Sequence, residues 1–291
     1  MQKQKKAYIF ALIAVLFWAT SGSAFKVTLR YIDFIHILLY ASFFSIIILF
    51  SILWVQKKIF LLRSITKKDM LRSAGLGFLN PYLYYLTVLK AYDLLLAQEA
   101  VVINYVWPIT LVLLSIPILK QKISLKSLLA ILISFAGVVF IAIKGNLSQL
   151  HFSNIEGVLL ALLSTIFWAL FFILNVKDKR DAVYKMLLNF IFGFIYVLIT
   201  IVIFYGIKIP TIEGIIGSVY IGIFEMGITF VIWLKSLQIS SSTAKVSNLI
   251  FLSPLLSLIM VSLIVGEQIM DYSIVGLVFI IGGIILQRFT K

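Results

Sequence analysis

Apolar runs of about 18 residues or more recur along the chain, separated by short polar or basic connections. At the 1.5 Å rise per residue of a helix, each run crosses a hydrocarbon core of roughly 30 Å. The runs lack the alternation of barrel strands, and hydrocarbon offers the backbone no hydrogen-bonding partner, so helices are predicted. Turn and charge signals divide the pattern into ten spans: Ala7–Phe25, Phe34–Val55, Met70–Lys90, Leu94–Leu119, Leu125–Ile143, Ile155–Asn175, Tyr184–Tyr205, Ile212–Leu234, Thr243–Val265 and Tyr272–Gln287. The predicted fold class is an all-α integral membrane protein without an appended soluble domain. The longest connection is the basic segment containing Lys57, Lys58, Arg63, Lys67, Lys68 and Arg72.

Composition agrees with this pattern: 62% of the 291 residues are hydrophobic and 12% are charged. The net charge of +14 suggests nucleic acid until the cations are placed. With the N-terminus inside, inner segments hold 18 basic residues, Lys177, Lys179, Arg180 and Lys185 among them, and outer loops hold four, Lys26, Arg30, Lys144 and Lys208. This is the positive-inside bias, which predicts a multi-pass protein of the inner (plasma) membrane with both termini cytoplasmic and no nucleic-acid partner. Cysteine is absent, which removes disulfides, thiolate metal sites and a Cys nucleophile. The two histidines, His36 and His151, fall at span edges and read as interfacial residues. No phosphate loop, dinucleotide fingerprint or metalloprotease motif is present. The sequence therefore predicts no enzyme, no catalytic residues, no metal and no cofactor.

At an offset of 145 to 150 residues the second half matches the first in order: Phe17-Trp18-Ala19 with Phe167-Trp168-Ala169, Gly77 with Gly222, Leu89-Lys90 with Leu234-Lys235, Pro108 with Pro254, and Gly137 with Gly283. Two repeats are predicted, residues 1–145 and 152–291. Each has an odd number of spans, five, so they enter the membrane with opposite polarity. The basic segment Lys120-Gln121-Lys122 matches the acidic Gly266-Glu267-Gln268, as a loop that changes sides would. The N-terminal run belongs to the repeat and is predicted to be retained, although its basic start and small-residue end imitate a signal peptide.

These features resemble the drug/metabolite transporter superfamily, specifically its ten-helix carriers with two EamA domains. The resemblance rests on the tryptophans of the first and sixth spans, the Ala-rich entries leading to Pro108 and Pro254, and Gly266-Glu267 with Gly276 and Gly282-Gly283 near the last span. It implies a central cavity lined by the first, third, fourth, sixth, eighth and ninth spans, braced by the fifth and tenth. The chain departs from the family pattern after the fourth span, where Gln121-Lys122 replaces Gly-Glu, so that motif carries over only to Glu267, read as a loop carboxylate at a helix end.

An ionisable side chain deep in a span costs roughly 2.5 to 3.5 kcal/mol on insertion scales and usually faces a cavity or a partner. Glu225 is the deepest such group. Its repeat counterpart is Asn80, and the two form the predicted midplane site, with Glu225 as the proton-coupling residue or, alternatively, an interhelical hydrogen-bonding group. Spacings of three and four residues extend the faces to Tyr84 and Thr87 beside Asn80, and to Thr229 beside Glu225. Pro81 weakens the third span next to Asn80. Trp18, Trp107 and Trp168, with Tyr105, form a predicted aromatic wall. Asn104 lies one turn before Pro108. Lys245 reads either as a snorkelling cation or as a gate for a carboxylate, with Asn248 one turn deeper. Lys90 and Lys235 read as interfacial anchors, and Asn189 and Tyr196 are lesser candidates.

The expected function is secondary export of a small organic metabolite, an amino acid or related compound, by alternating access, with the substrate and membrane lipids as partners and a monomer as a plausible state. A flippase for lipid or lipid-linked substrates and a non-transporting subunit or sensor are the alternatives. A closed polar cavity open to one aqueous side would favour the first reading, a lateral opening with bound acyl density the second, and no cavity, with the midplane polar residues tied up in packing, the third.

Overall fold

The computed structural model describes residues 2–95, 103–146, 148, 154–253, 256 and 271–289, and every regular element among them is helical. The elements are α1 (Gln2–Thr28), α2 (Phe34–Val55), the short α3 (Phe60–Arg63), α4 (Lys67–Gly77), a π-helical turn π1 (Phe78–Leu83), α5 (Tyr84–Leu94), α6 (Trp107–Leu119), α7 (Leu125–Ala142), α8 (Ile155–Lys177), α9 (Ala182–Phe204), α10 (Ile212–Tyr220), a second π-helical turn π2 (Ile221–Gly227), α11 (Ile228–Ile239), α12 (Thr243–Ser247), a 3-10 turn (Asn248–Phe251) and α13 (Asp271–Arg288). Five segments among the described residues are long and apolar enough to cross a membrane: Phe34–Val55, Leu125–Ala142, Ile155–Lys177, Ala182–Phe204 and Ile212–Ile239. Trp107–Leu119 and Ile274–Gln287 are shorter apolar helices. Glu99, His151, Pro254, Gly266 and Glu267 lie outside the described residues.

Helix starts follow the polar residues that end each connection. Asp33, Ser124, Asn154, Asp181 and Thr211 each accept a backbone N–H in the first turn of α2, α7, α8, α9 and α10. Thr66 and Asp69 form a reciprocal capping box at the start of α4.

The third and eighth spans depart from the continuous helices predicted for them. Both are interrupted by a π turn, and each for a local reason. In π1, Pro81 has no N–H to donate, and Asn80 takes non-helical angles of φ −154° and ψ 125°. In π2, the Thr229 hydroxyl donates to the Phe224 carbonyl five residues earlier, which diverts that acceptor from the helical ladder.

Packing between the helices is reciprocal. α1 lies on α11 and α5 on α8, α2 lies on π2 and α9 on π1, α10 lies on α2 and α4 on α9, and α7 lies on α13. Glycines permit the closest approaches. A Cβ on Gly77 would collide with the Asn189 carbonyl and the Gly193 backbone of α9, and one on Gly222 would collide with the Ala41 carbonyl and Phe44 of α2. Ser45 fixes the second contact, its hydroxyl donating to the Gly222 carbonyl at 2.7 Å. Between α7 and α13, Gly137 meets the Gly276 carbonyl and Gly283 meets Ser134 and the Ala130 carbonyl.

Charged residues gather at the two ends of the α2–α9 pair. At the basic end, Arg180 forks onto Asp178, with Nε 2.9 Å and Nη2 2.7 Å from Oδ2, and its guanidinium also reaches Ser73 and Asp69. Lys58 pairs with Asp181 at 2.6 Å. Burial acts to raise the Asp178 carboxyl, but the hydrogen bonds and charge of Arg180 outweigh it and hold the group below the usual carboxylate range. At the other end Asp33 pairs with Lys208 at 2.7 Å. Asp181 follows Asp33 by 148 residues and Lys208 follows Lys58 by 150, so the two pairs stand in the spacing of the sequence repeat.

Two expectations need correction at these ends. Lys185, counted above as an inner-segment cation, is fully buried in α9, and its Nζ donates to the carbonyls of Asn175 at 2.5 Å and Asp178 at 2.6 Å. It thereby satisfies carbonyls that the C-terminus of α8 leaves without a helical partner, where the helix dipole also favours a cation. His36, expected at an interface, is wholly enclosed, with Nδ1 2.6 Å from Asp33 and Nε2 between the Gly206 carbonyl at 2.9 Å and the Lys208 N–H at 3.2 Å.

Asp178→Asn should lower stability at neutral pH by about 1 to 3 kcal/mol, since it removes the closest counter-charge of a largely buried guanidinium and leaves it only the longer contacts to Asp69 and Ser73. A depressed carboxyl contributes stability that is present above its unfolded pKa and lost as pH falls through its folded pKa, so the gap to wild type should close in acid. Thermal unfolding in detergent at neutral and acid pH measures both effects. Gly77→Ala should cost about 1 to 3 kcal/mol by overpacking α4 against α9, whereas Gly75→Ala, where a Cβ meets nothing within 4 Å, should be neutral or stabilising in the same assay.

Candidate functional site

The deepest carboxylate sits on one π turn, and its principal partner lies just beyond the other. Tyr85, in the first turn of α5, donates its hydroxyl to Glu225, with the two carboxylate oxygens at 2.8 and 2.7 Å. The Trp18 indole N–H donates to the Glu225 backbone carbonyl at 3.2 Å. Glu225 is 7% exposed and Tyr85 4% exposed, so the pair is screened from solvent by the surrounding helices. The site therefore joins α1, π2 and α5.

Below the carboxylate the aromatic rings converge. Trp18 lies 6.1 Å from Trp107, 5.7 Å from Trp168 and 5.4 Å from Trp233 between ring centroids. Trp107 is 5.6 Å from both Trp168 and Trp233. Tyr84 lies 4.6 Å from Trp168, which also contacts Phe172 and Phe230. The mostly edge-on and tilted geometries are those that ring quadrupoles favour. Where the family resemblance implies a central cavity, these rings fill the space between α1, α5, α6, α8 and α11.

Several buried polar atoms, two of them on the clustered tryptophans, have no described partner. Asn80 is wholly buried, and neither its amide nitrogen nor its oxygen has a hydrogen-bond partner among the described residues. The same holds for the indole nitrogens of Trp168 and Trp233 and for Asn104 Oδ1. Such groups are costly in an apolar interior, by about 1 to 3 kcal/mol each, and they are available to a ligand that supplies complementary atoms.

The predicted residues thus divide. Trp18, Trp107, Trp168 and Tyr84 come together, and Glu225 adjoins them through Trp18. Asn80 occupies π1, against α8 and α9. Thr87 and Thr229 spend their hydroxyls on carbonyls of their own segments. Asn248 donates to the Gly283 carbonyl of α13 at 3.1 Å, a tie between helices and away from the tryptophans. Lys245 is half-buried on α12, beside the contact in which Thr243 reaches Ser115 and Gln121. Asn189 donates to Asn175 in the group around Lys185, and Tyr196 packs on Phe78 and Tyr82.

Tyr85 and Trp233 escaped the sequence reading for identifiable reasons. Tyr85 stands five residues after Asn80, outside the three- and four-residue steps of an α-helix, and only a π turn shifts the register to bring it round. Trp233 has no tryptophan at the matching position of the first half, so the repeat did not mark it. Asn80-Pro81 was the available signal for the π turn, since both residues disfavour a regular ladder.

Comparison with known proteins agrees with the resemblance. The model of the EamA-like transporter family matches residues 5–143 and again 155–289. An uncharacterized transporter of Clostridium kluyveri is 26% identical over 97% of this chain and 93% of its own length. The uncharacterized transporter YoaV of Bacillus subtilis is 25% identical over 98% and 97% of the respective chains. A relative from Acidianus ambivalens, described as an uncharacterized transporter in the sor 3' region, is 30% identical over 69% of this chain and 78% of its own length. A solved crystal structure shares the fold with a TM-score of 0.78 at 19% identity, covering 97% of this chain and 96% of that one. With both halves matched by the family model and a multi-pass set of apolar helices around a shared aromatic centre, the chain belongs to the EamA-like transporter family.

Proposed function

We propose that this transporter is a secondary carrier that exports a small organic metabolite, an amino acid or related compound, by alternating access between two inverted five-helix halves. The observation that carries the proposal is the enclosed Glu225–Tyr85 pair above the tryptophan cluster. A carboxylate held by one tyrosine side chain among the described residues has unused acceptor capacity, and a proton or a cationic substrate group can satisfy it in alternation. The atoms of Asn80, Trp168 and Trp233 that have no partner among the described residues supply further donors and an acceptor for the cargo.

The reciprocal packing supports the inverted relation: each contact of α4, π1 and α5 with α8 and α9 has a counterpart in the contacts of α10, π2 and α11 with α1 and α2. The π turns sit at equivalent places, where local helix irregularity frees backbone groups and permits bending. The two Asp–Lys pairs, one at each end, join the same helices and are part-exposed, with side-chain exposures of 39% and 24% for Lys58–Asp181 and 63% and 35% for Lys208–Asp33. Pairs this exposed are worth about 0 to 1 kcal/mol each, so neither locks its end of the bundle by itself, although the buried His36 adds further ties at the Asp33 end. In this reading the basic end faces the cytoplasm, and the arrangement described is an occluded one in which the rings separate when substrate enters.

Untargeted metabolite profiling of cells with and without the protein identifies the cargo, and no difference between them would favour a non-transporting role. With that compound in proteoliposomes, Glu225→Gln should abolish the pH dependence of flux across the neutral range while the protein still folds. Flux with wild-type pH dependence in this variant would refute proton coupling. Tyr85→Phe keeps the ring and removes the donor, so its flux should persist with a displaced pH profile.

A further inference from the structure

At the basic end, α4 and α8 enclose a groove of about 350 Å³, lined by Leu71, Leu76 and Leu79 on one side and Leu174 on the other, with Arg72 at its mouth and Gly75 in its floor. A Cβ on Gly75 would meet nothing within 4 Å, so the groove exists in part because this helix position carries no side chain. Leu71 is 79% exposed, which places an apolar rim on the outer surface of the bundle.

The mouth of the groove is cationic. Arg72 is half-exposed, and its contact with Asp178 is a single 3.3 Å approach. Asp178 already receives two closer hydrogen bonds from Arg180, at 2.9 and 2.7 Å, so Arg72 can turn to another anion without leaving that carboxylate unpaired. Lys68 lies one helical turn before Arg72, and Lys177 lies one turn beyond Leu174, both exposed and both toward the basic end. The nearby acids are committed: Asp69 to the Thr66 cap and Arg180, and Asp181 to Lys58.

We propose that this groove binds an anionic phospholipid of the leaflet at the basic end, with an acyl chain between α4 and α8 and the phosphate at Arg72, Lys68 and Lys177. An apolar slot rimmed by the exposed Leu71 matches an acyl chain, and Arg72 in its lining, with exposed Lys68 and Lys177 each one helical turn from a lining residue, matches a headgroup with net negative charge in place of a zwitterionic one. Arg72 provides the planar fork that suits a phosphate, while the lysines act as point charges. The proposal rests on the chain spanning a membrane and is independent of the cargo and coupling suggested for the central site.

The test uses the full chain, delipidated in detergent and titrated with phosphatidylglycerol or with phosphatidylcholine of the same acyl chains, with bound lipid counted by native mass spectrometry. Wild type should retain phosphatidylglycerol preferentially. Gly75→Leu, which fills the groove from an open position, should lose that retention while its thermal unfolding is unchanged. Lys68→Ala and Lys177→Ala, both on the exposed surface, should each weaken phosphatidylglycerol by about fivefold at low salt and leave phosphatidylcholine unaffected. Equal retention of the two lipids by wild type would overturn the proposal, as would undiminished phosphatidylglycerol binding in Gly75→Leu or in the double lysine variant. Competition by glycerophosphoglycerol, which lacks acyl chains, would also overturn it, because the groove would then add nothing to headgroup capture. Because the readout is bound lipid, an inactive or differently coupled carrier leaves the result intact.

Discussion

Hydrocarbon offers no hydrogen bonds, so every polar group between the two ends of this bundle must find its partner within the protein or remain at a cost. Much of the architecture follows from that requirement. Helices satisfy most of the backbone internally, and Asp, Asn, Ser and Thr caps absorb the N–H groups left at helix starts. Where the C-terminus of α8 would leave carbonyls unmet, the chain buries a whole lysine, Lys185, to meet them. Ser45, Ser236 and Asn248 extend the same economy between helices by donating to the carbonyls of Gly222, Ala7 and Gly283.

Unmatched polar atoms occur at several places among the described residues, Ser42, Asn189 and Ser247 included, and the centre of the bundle joins some of them to a buried carboxylate. Glu225 has one side-chain donor for its two oxygens, and Asn80, Trp168 and Trp233 have polar atoms with no partner among the described residues. These groups lie beside two interruptions of helical geometry and a tightly packed set of rings. A structure optimised for stability alone would replace such groups with apolar ones of similar size. Their retention is the physical basis for placing function there.

Interaction strengths separate what moves from what holds. The Arg180–Asp178 contact within the α8–α9 connection is largely buried, with charge-assisted hydrogen bonds, and the same guanidinium reaches Ser73 and Asp69 and so fixes α4 to that connection. The Lys58–Asp181 and Lys208–Asp33 pairs are open to water and weak. Glycine contacts at Gly77, Gly222, Gly137 and Gly283 add close backbone approach, which tolerates no added side chain.

The sequence by itself determined the helical, membrane-spanning class and the carrier family, because length, apolarity and charge asymmetry are local quantities that add along a chain. It also named Trp18, Trp107 and Trp168 among the central aromatic residues, Trp18 and Trp168 through the repeat. Tertiary structure decided what distance along the chain cannot express. Tyr85 meets Glu225 across 140 residues of chain, and Trp233 joins the cluster because α11 lies against α1. Lys185 and His36 read as edge residues from their place in the pattern, yet folding encloses both, because the carbonyls and the carboxylate that they satisfy come from other parts of the fold. Hydropathy tells which segments leave water; which polar atoms then meet is settled by packing geometry.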